Sequence, residues 1–182
     1  MKYIVFDTEY TSWKGSQERN WNGDKEFKEI VQIGAIKVEN KKIIDILDIY
    51  IKPVINPILS DYFINLTGIT NEKIEKEGVL FEEAFDKFYQ FSEGCKLYSY
   101  GNDYLEIEGN IKLYNIKRDF IDSFKNNFFD FKDKINNKNI DVTKYTSGTI
   151  YKAYNIKFDK KLKLHNGLDD AYSLYLVSKI IF

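Results

Sequence analysis

The chain has 182 residues, 43% hydrophobic and 30% charged, with a formal net charge of −1. That balance supports a buried core and argues against nucleic-acid binding by bulk charge alone. One cysteine (Cys95) excludes an internal disulfide, no apolar run approaches the ~18–20 residues of a membrane span, and the opening MKYIVFDTE is too short in apolar residues for a signal peptide; a single cytoplasmic domain over 1–182 is expected.

Residues 3–9 read as a strand with apolar side chains on both faces, Tyr3 and Val5 against Ile4 and Phe6. Such a strand is central and covered on both sides. Residues 11–28 are polar, carry Trp13 and Trp21, and read as a loop or hairpin excursion. Ile30–Val38 and Ile43–Ile51 are β-rich runs separated by the turn-like ENKK, which makes the first three strands a meander. Phe81, Ala84, Phe85 and Phe88 recur at helical spacing and predict an amphipathic helix over 80–93, closed by Gly94. Lys96–Tyr100 reads as a short strand, 102–115 as a helix, Phe120–Phe124 as a strand, Ser147–Tyr154 as a helix and Leu168–Ile181 as the last helix. The stretch 125–145 carries no decisive pattern. Strands first, then strands alternating with helices, define an α/β layer fold.

Charge is unevenly spread. Residues 1–110 hold 13 Lys/Arg against 20 Asp/Glu, a balance of −7, whereas 111–164 hold 13 against 6, a balance of +7. The basic third also carries ten Phe and Tyr residues between Tyr114 and Phe158. Lysines interleaved with aromatics suit a single-stranded nucleic acid, whose phosphates meet cations and whose bases stack on rings. The same pattern fits a solvated face over an aromatic core.

Asp7 and Glu9 end the first strand with one residue between them, so both side chains leave on the face of Tyr3 and Val5. Two carboxylates side by side on a buried strand repel each other and are costly to desolvate. Either the strand end reaches solvent or a cation lies between them. On the last helix, advancing about 100° per residue from Asp170 brings Leu174, Val177 and Ile181 all to within about 40° of it, whereas Asp169 falls about 100° to the side. Asp170 therefore points along the core face. The chain's only histidine, His165, stands five residues earlier. Hard carboxylate ligands and a near-neutral base together are the equipment of metal-assisted phosphodiester hydrolysis.

With these residues the sequence resembles the DEDDh-type 3′→5′ exonucleases of the ribonuclease H-like superfamily, among the RNase T and DNA polymerase III epsilon-like enzymes. FDTE matches the first motif, D-x-E after an apolar strand, and HNGLDD matches the third, H-x-x-x-x-D, which selects Asp170 over Asp169. SYGND at 99–103 is similar to the second motif, making Asp103 the mid-chain aspartate. It departs from the S-W-G-x-x-D form by one residue, since Tyr104 occupies the position three after the glycine. EIVQIGAIKV (29–38) resembles the family's second strand, and YIKP followed by DYFINLTGIT is most similar to the KapD-like and histone-mRNA 3′-exonuclease branch.

The resemblance implies a central mixed sheet, a three-strand meander plus parallel strands, flanked by helices. It implies two Mg²⁺ or Mn²⁺ ions held by Asp7, Glu9, Asp103 and Asp170, and His165 as general base. The substrate would be a single-stranded RNA or DNA 3′ end, shortened to nucleoside 5′-monophosphates. Thr8, Leu66, Thr67 and Gly68 would border the terminal nucleotide, although Leu66–Gly68 equally fit a turn leading to Thr70 as a helix N-cap. Alternatives are a stand-alone proofreading-type DNA exonuclease and a non-catalytic nucleic-acid-binding protein that keeps the fold.

Overall fold

Strand β1 (Lys2–Tyr10) lies in the middle of a five-stranded mixed sheet. β2 (Ile30–Glu39) and β3 (Lys42–Tyr50) continue from it as an antiparallel meander, and β4 (Lys96–Ser99) and β5 (Phe128–Asp130) add in parallel on its other side, in the order β3-β2-β1-β4-β5. The computed structural model describes residues 1–101, 103–135 and 141–182. No helix among the described residues is long and apolar enough to cross a membrane.

The alternation along β1 separates two cores. Ile4 and Phe6 join the core built by α3 (Phe81–Ser92), α4 (Asp103–Leu113) and α5 (Ile121–Lys125), where Phe85, Phe88, Ile107 and Phe124 are buried. Tyr3 and Val5 join the opposite core under α6 (Gly167–Ile181), with Leu174 and Val177. The predicted amphipathic helix is α3, and its four spaced apolar residues are all buried. Burying such faces supplies the main driving force for docking a helix on a sheet.

Two expectations change. Phe120–Phe124 is not a strand; it runs into α5, because Phe120 and Phe124, four apart, face Phe85 and Tyr89 together on a helical period. The fifth strand is instead Phe128–Asp130, drawn from the stretch that lacked a pattern. Ser147–Tyr154 forms only a 3₁₀ helix over Ile150–Tyr154. The expected start of α4 at residue 102 lies outside the described residues. Two short helices, α1 (Asp61–Thr67) and α2 (Asn71–Glu77), separate the meander from α3. Ser60 caps α1 through Phe63 N, and Thr70 caps α2 through Lys73 N.

Candidate active site

Asp7 and Glu9 leave β1 toward α6, on the face their spacing predicts. In the antiparallel register Asp7 stands opposite Gly34 and Glu9 opposite Gln32. Both partners matter to what lies above. Gly34 has no side chain, and the backbone of Gly167 and Leu168 at the start of α6 occupies the space a Cβ would need; that atom would lie 2.5 Å from Gly167 O. Gln32, fully buried, accepts from Gly167 N at 2.9 Å through Oε1 and donates to Asp48 at 2.6 Å through Nε2. The first turn of α6 is thus seated on β2 beside Asp7, with Asn166 as its N-cap.

This seating brings Asp170 down over β1. One carboxylate oxygen each of Asp7, Glu9 and Asp170 lie within 4.8 Å of one another. All three residues are at least nine-tenths buried. Asp170 is pressed from behind by the turn at Gly148, where a Cβ would stand 2.7 Å from its carboxyl carbon. Its Oδ2 accepts a long bond from Ser147 Oγ at 3.4 Å, and its buried Oδ1 has no partner among the described residues.

Asp103 opens α4 at the same edge of the sheet and lines the same cleft. Its Oδ1 accepts from Thr8 N at 3.2 Å and from Thr8 Oγ1 at 2.8 Å, so the residue between the two β1 acids fixes the mid-chain aspartate. α4 is itself tied to β2, where Asn110 Oδ1 accepts from Ile30 N at 3.0 Å.

Burial and mutual repulsion weaken the acidity of all four carboxyls. Desolvation raises Asp7 well above the usual carboxylate range, and the charges of Asp103, Asp170 and Glu9 raise it further. Glu9 moves the same way by burial, with Asp170 and Asp103 adding. Burial lifts Asp103 to about 6, opposed by its bonds to Thr8, and lifts Asp170 to about 7. Four acids held together against their own repulsion, with an oxygen left unpaired, fit a hard divalent cation that takes oxygen ligands. A cation would return all four to their ionised form.

His165 stands at the rim of the cleft, exposed, with φ of 58°. Partial desolvation pushes its imidazole below the usual histidine range. The segment before it is held by Asp169, which accepts from Lys160 Nζ at 2.7 Å and from Lys163 N at 2.9 Å. The aspartate that points away from the cluster therefore anchors the histidine loop.

The cleft measures about 450 Å³ and has an aromatic wall that includes Tyr10, Trp13, Trp21, Tyr62 and Tyr100. Thr8 and Leu66 line it too. Thr67 is buried behind this wall, its hydroxyl donating to Phe63 O and accepting from Ile69 N. Gly68 caps α1 in the left-handed conformation and lies against the Lys163 side chain. The polar excursion at 11–28 thus supplies cleft wall through Trp13, Ser16, Gln17 and Trp21. Gln32, Gly34, Ser147 and Gly148 also shape the cluster, and no motif in the sequence marks them. The visible signal was a glutamine and a glycine interrupting an otherwise apolar strand.

A mixed sheet whose central strand ends in paired carboxylates, under a helix that returns a third, is the ribonuclease H-like nuclease architecture. Residues 4–177 match the RNase T exonuclease family, and the chain belongs to it. A segment of 103 residues is 32% identical to the PolC-type DNA polymerase III of Caldanaerobacter subterraneus subsp. tengcongensis; it covers 57% of this chain but only 6% of that polymerase. The fold is similar to that of the nuclease domain of 3′hExo, a DEDDh family member, bound to rAMP, with a TM-score of 0.77 at 20% identity over 98% of this chain and 90% of that one. It is also similar to a 3′-exonuclease in 3′-end specific recognition of histone mRNA stem-loop (TM-score 0.80, 19% identity, 98% and 80% covered). Escherichia coli Exonuclease I in complex with a dA16 oligonucleotide is a further match (0.68, 15%, 99% and 40%).

Proposed function

We propose that the protein is a divalent-metal-dependent exonuclease that removes nucleotides one at a time from the 3′ end of single-stranded RNA or DNA, releasing nucleoside 5′-monophosphates. The observation that carries this reading is the convergence of Asp7, Glu9 and Asp170 to within 4.8 Å inside an aromatic cleft, with Asp170 Oδ1 unpartnered. These three carboxylates, with Asp103 beside them, would hold one or two Mg²⁺ or Mn²⁺ ions. Such ions supply charge stabilisation for an in-line displacement at phosphorus.

The chain's own groups do the rest. His165, at the cleft rim and biased toward its neutral form, accepts the proton of the attacking water through an imidazole nitrogen. Asp169 keeps the histidine loop folded back on α6. Thr8 orients Asp103 by two hydrogen bonds to one oxygen. Leu66 and the rings of Trp13 and Tyr62 line the cleft and would offer apolar surface to the terminal base, with the carboxylates left for the scissile phosphate.

Partial similarity to a DNA polymerase favours a second reading for the substrate, a stand-alone proofreading-type DNA exonuclease. Both are tested with 5′-labelled single- and double-stranded RNA and DNA in Mg²⁺, Mn²⁺ or chelator. A ladder shortening from the 3′ end, abolished by chelator, is expected. Internal fragments, or cleavage in chelator, would contradict the proposal, and the preferred sugar decides between the two substrates.

A further inference from the structure

Four carboxylates line the cleft, and its wall carries a single lysine or arginine among the described residues, Lys132. Its position is fixed by the sheet. Asp130, at the end of β5, accepts through Oδ1 from Lys132 N at 2.8 Å and from Gly101 N at 3.0 Å. That one oxygen ties the ends of the parallel neighbours β4 and β5, so Lys132 emerges at the same sheet edge as Asp103. Its ammonium lies 4.6 Å from the ring centroid of Tyr100, whose hydroxyl is in turn anchored to Val142 O at 2.9 Å. A Cβ on Gly101, which has φ of 96°, would come within 3.4 Å of this ammonium.

Lys132 has no carboxylate partner among the described residues, although its cleft is rich in them, and it is exposed. The lysines that pair with acids elsewhere, such as Lys28 with Glu106 at 2.8 Å, show what a satisfied ammonium looks like in this protein. An ammonium resting on a ring face keeps its hydrogen-bond donors for something else. In a cleft that receives a polyanion past four acids, that acceptor is a phosphate oxygen, for which lysine is a suitable point charge.

We propose that Lys132 forms a phosphate subsite of the cleft, its ammonium binding a non-bridging oxygen of one of the two backbone phosphates nearest the 3′ end of a single-stranded nucleic acid. The proposal rests on the exonuclease reading and adds to it a charge contact outside the acid cluster.

The test is binding of fluorescent single-stranded oligonucleotides by anisotropy, with Ca²⁺ in place of Mg²⁺, to the wild-type protein, Lys132→Met and Lys132→Arg. Each of the three 3′-terminal linkages is replaced singly by an uncharged methylphosphonate. Lys132→Met is expected to weaken binding about 5–10-fold and to reduce the slope of log K against log salt by about 0.7, the share of one phosphate on a single strand. Lys132→Arg should keep most of the affinity. A methylphosphonate at one of the last two linkages should weaken binding to the wild-type protein yet cost Lys132→Met nothing further. If every methylphosphonate penalises Lys132→Met as much as wild type, or if the salt slope is unchanged, the subsite is wrong. Wild-type protein that fails to bind any single strand would overturn the exonuclease reading and the subsite with it, whereas binding without coupling overturns the subsite alone.

Discussion

Replacing Gly34 by alanine tests whether the site is built by the seating of α6 on β2. The added methyl would stand 2.5 Å from Gly167 O, where ordinary contact begins near 3.4 Å. The neighbours are backbone atoms of Gly167 and Leu168, which cannot rotate away as a side chain would. The start of α6 must therefore retreat by about 1 Å, carrying Asp170 with it. Overpacking of this kind costs about 1–3 kcal/mol, which for a chain of this size lowers Tm by roughly 2–12 °C. A displacement of about 1 Å in a reacting constellation can cost about 10²-fold in rate. The assay pairs thermal unfolding with single-turnover cleavage at a temperature where the variant is fully folded. Gly109→Ala is the control. It is an exposed position in α4 with nothing within 4 Å of a new Cβ, and it should gain about 0.5–1 kcal/mol without changing the rate. A folded Gly34→Ala protein with wild-type cleavage would refute the argument that this contact sets Asp170.

Three other outcomes follow from the same site. His165→Ala should slow turnover by about 10²–10⁴-fold while oligonucleotide binding is largely kept; an unchanged rate would remove the histidine as general base. Asp169→Ala frees Lys160 and Lys163 N, and should lower kcat with little change in KM in the wild-type background but have no further effect on top of His165→Ala; an equal loss in both backgrounds would make its role structural only. The third concerns pH. The pKa values of Asp103 and Asp170 are raised in the fold to about 6 and about 7, so the folded state binds protons more tightly than the unfolded chain. Metal-free protein should therefore be least stable above pH 7 and gain stability as pH falls through 7 and 6, and Mg²⁺ should raise Tm at pH 8 far more than at pH 5.5. Melting curves in chelator that show greater stability at pH 8 than at pH 5.5 would contradict this.

Much of the geometry of the candidate site is legible in the sequence because it rests on local periodicity. The two-residue spacing of Asp7 and Glu9 put them on one face of a strand, and the helical stripe through Asp170, Leu174 and Val177 put that acid on the core side. What was hidden depends on contacts across the chain. Gly34 and Gln32 acquire their meaning only when α6, more than 130 residues later, lands on them. The role of Asp169 is hidden because its partners lie in an irregular segment whose path no periodicity reveals. Thr67, in the LTGIT stretch, turns its hydroxyl into α1 and not into the cleft. The misread strand at Phe120–Phe124 has a different cause. Aromatics favour strands on average, but here tertiary packing against Phe85 and Tyr89 decides for a helix. α1 and α2, at seven residues each, are too short for a helical period to show, and only their caps at Ser60 and Thr70 mark them.

The clustered carboxylates of Asp7, Glu9 and Asp170 have the character of a divalent-cation site. Titrating Mn²⁺ into metal-free protein by calorimetry, for wild type and Asp7→Ala, tests it most directly. Saturable binding by the wild-type protein at neutral pH that is lost in a folded Asp7→Ala variant is the predicted result. Absence of binding to the wild-type protein, or undiminished binding to Asp7→Ala, would contradict it.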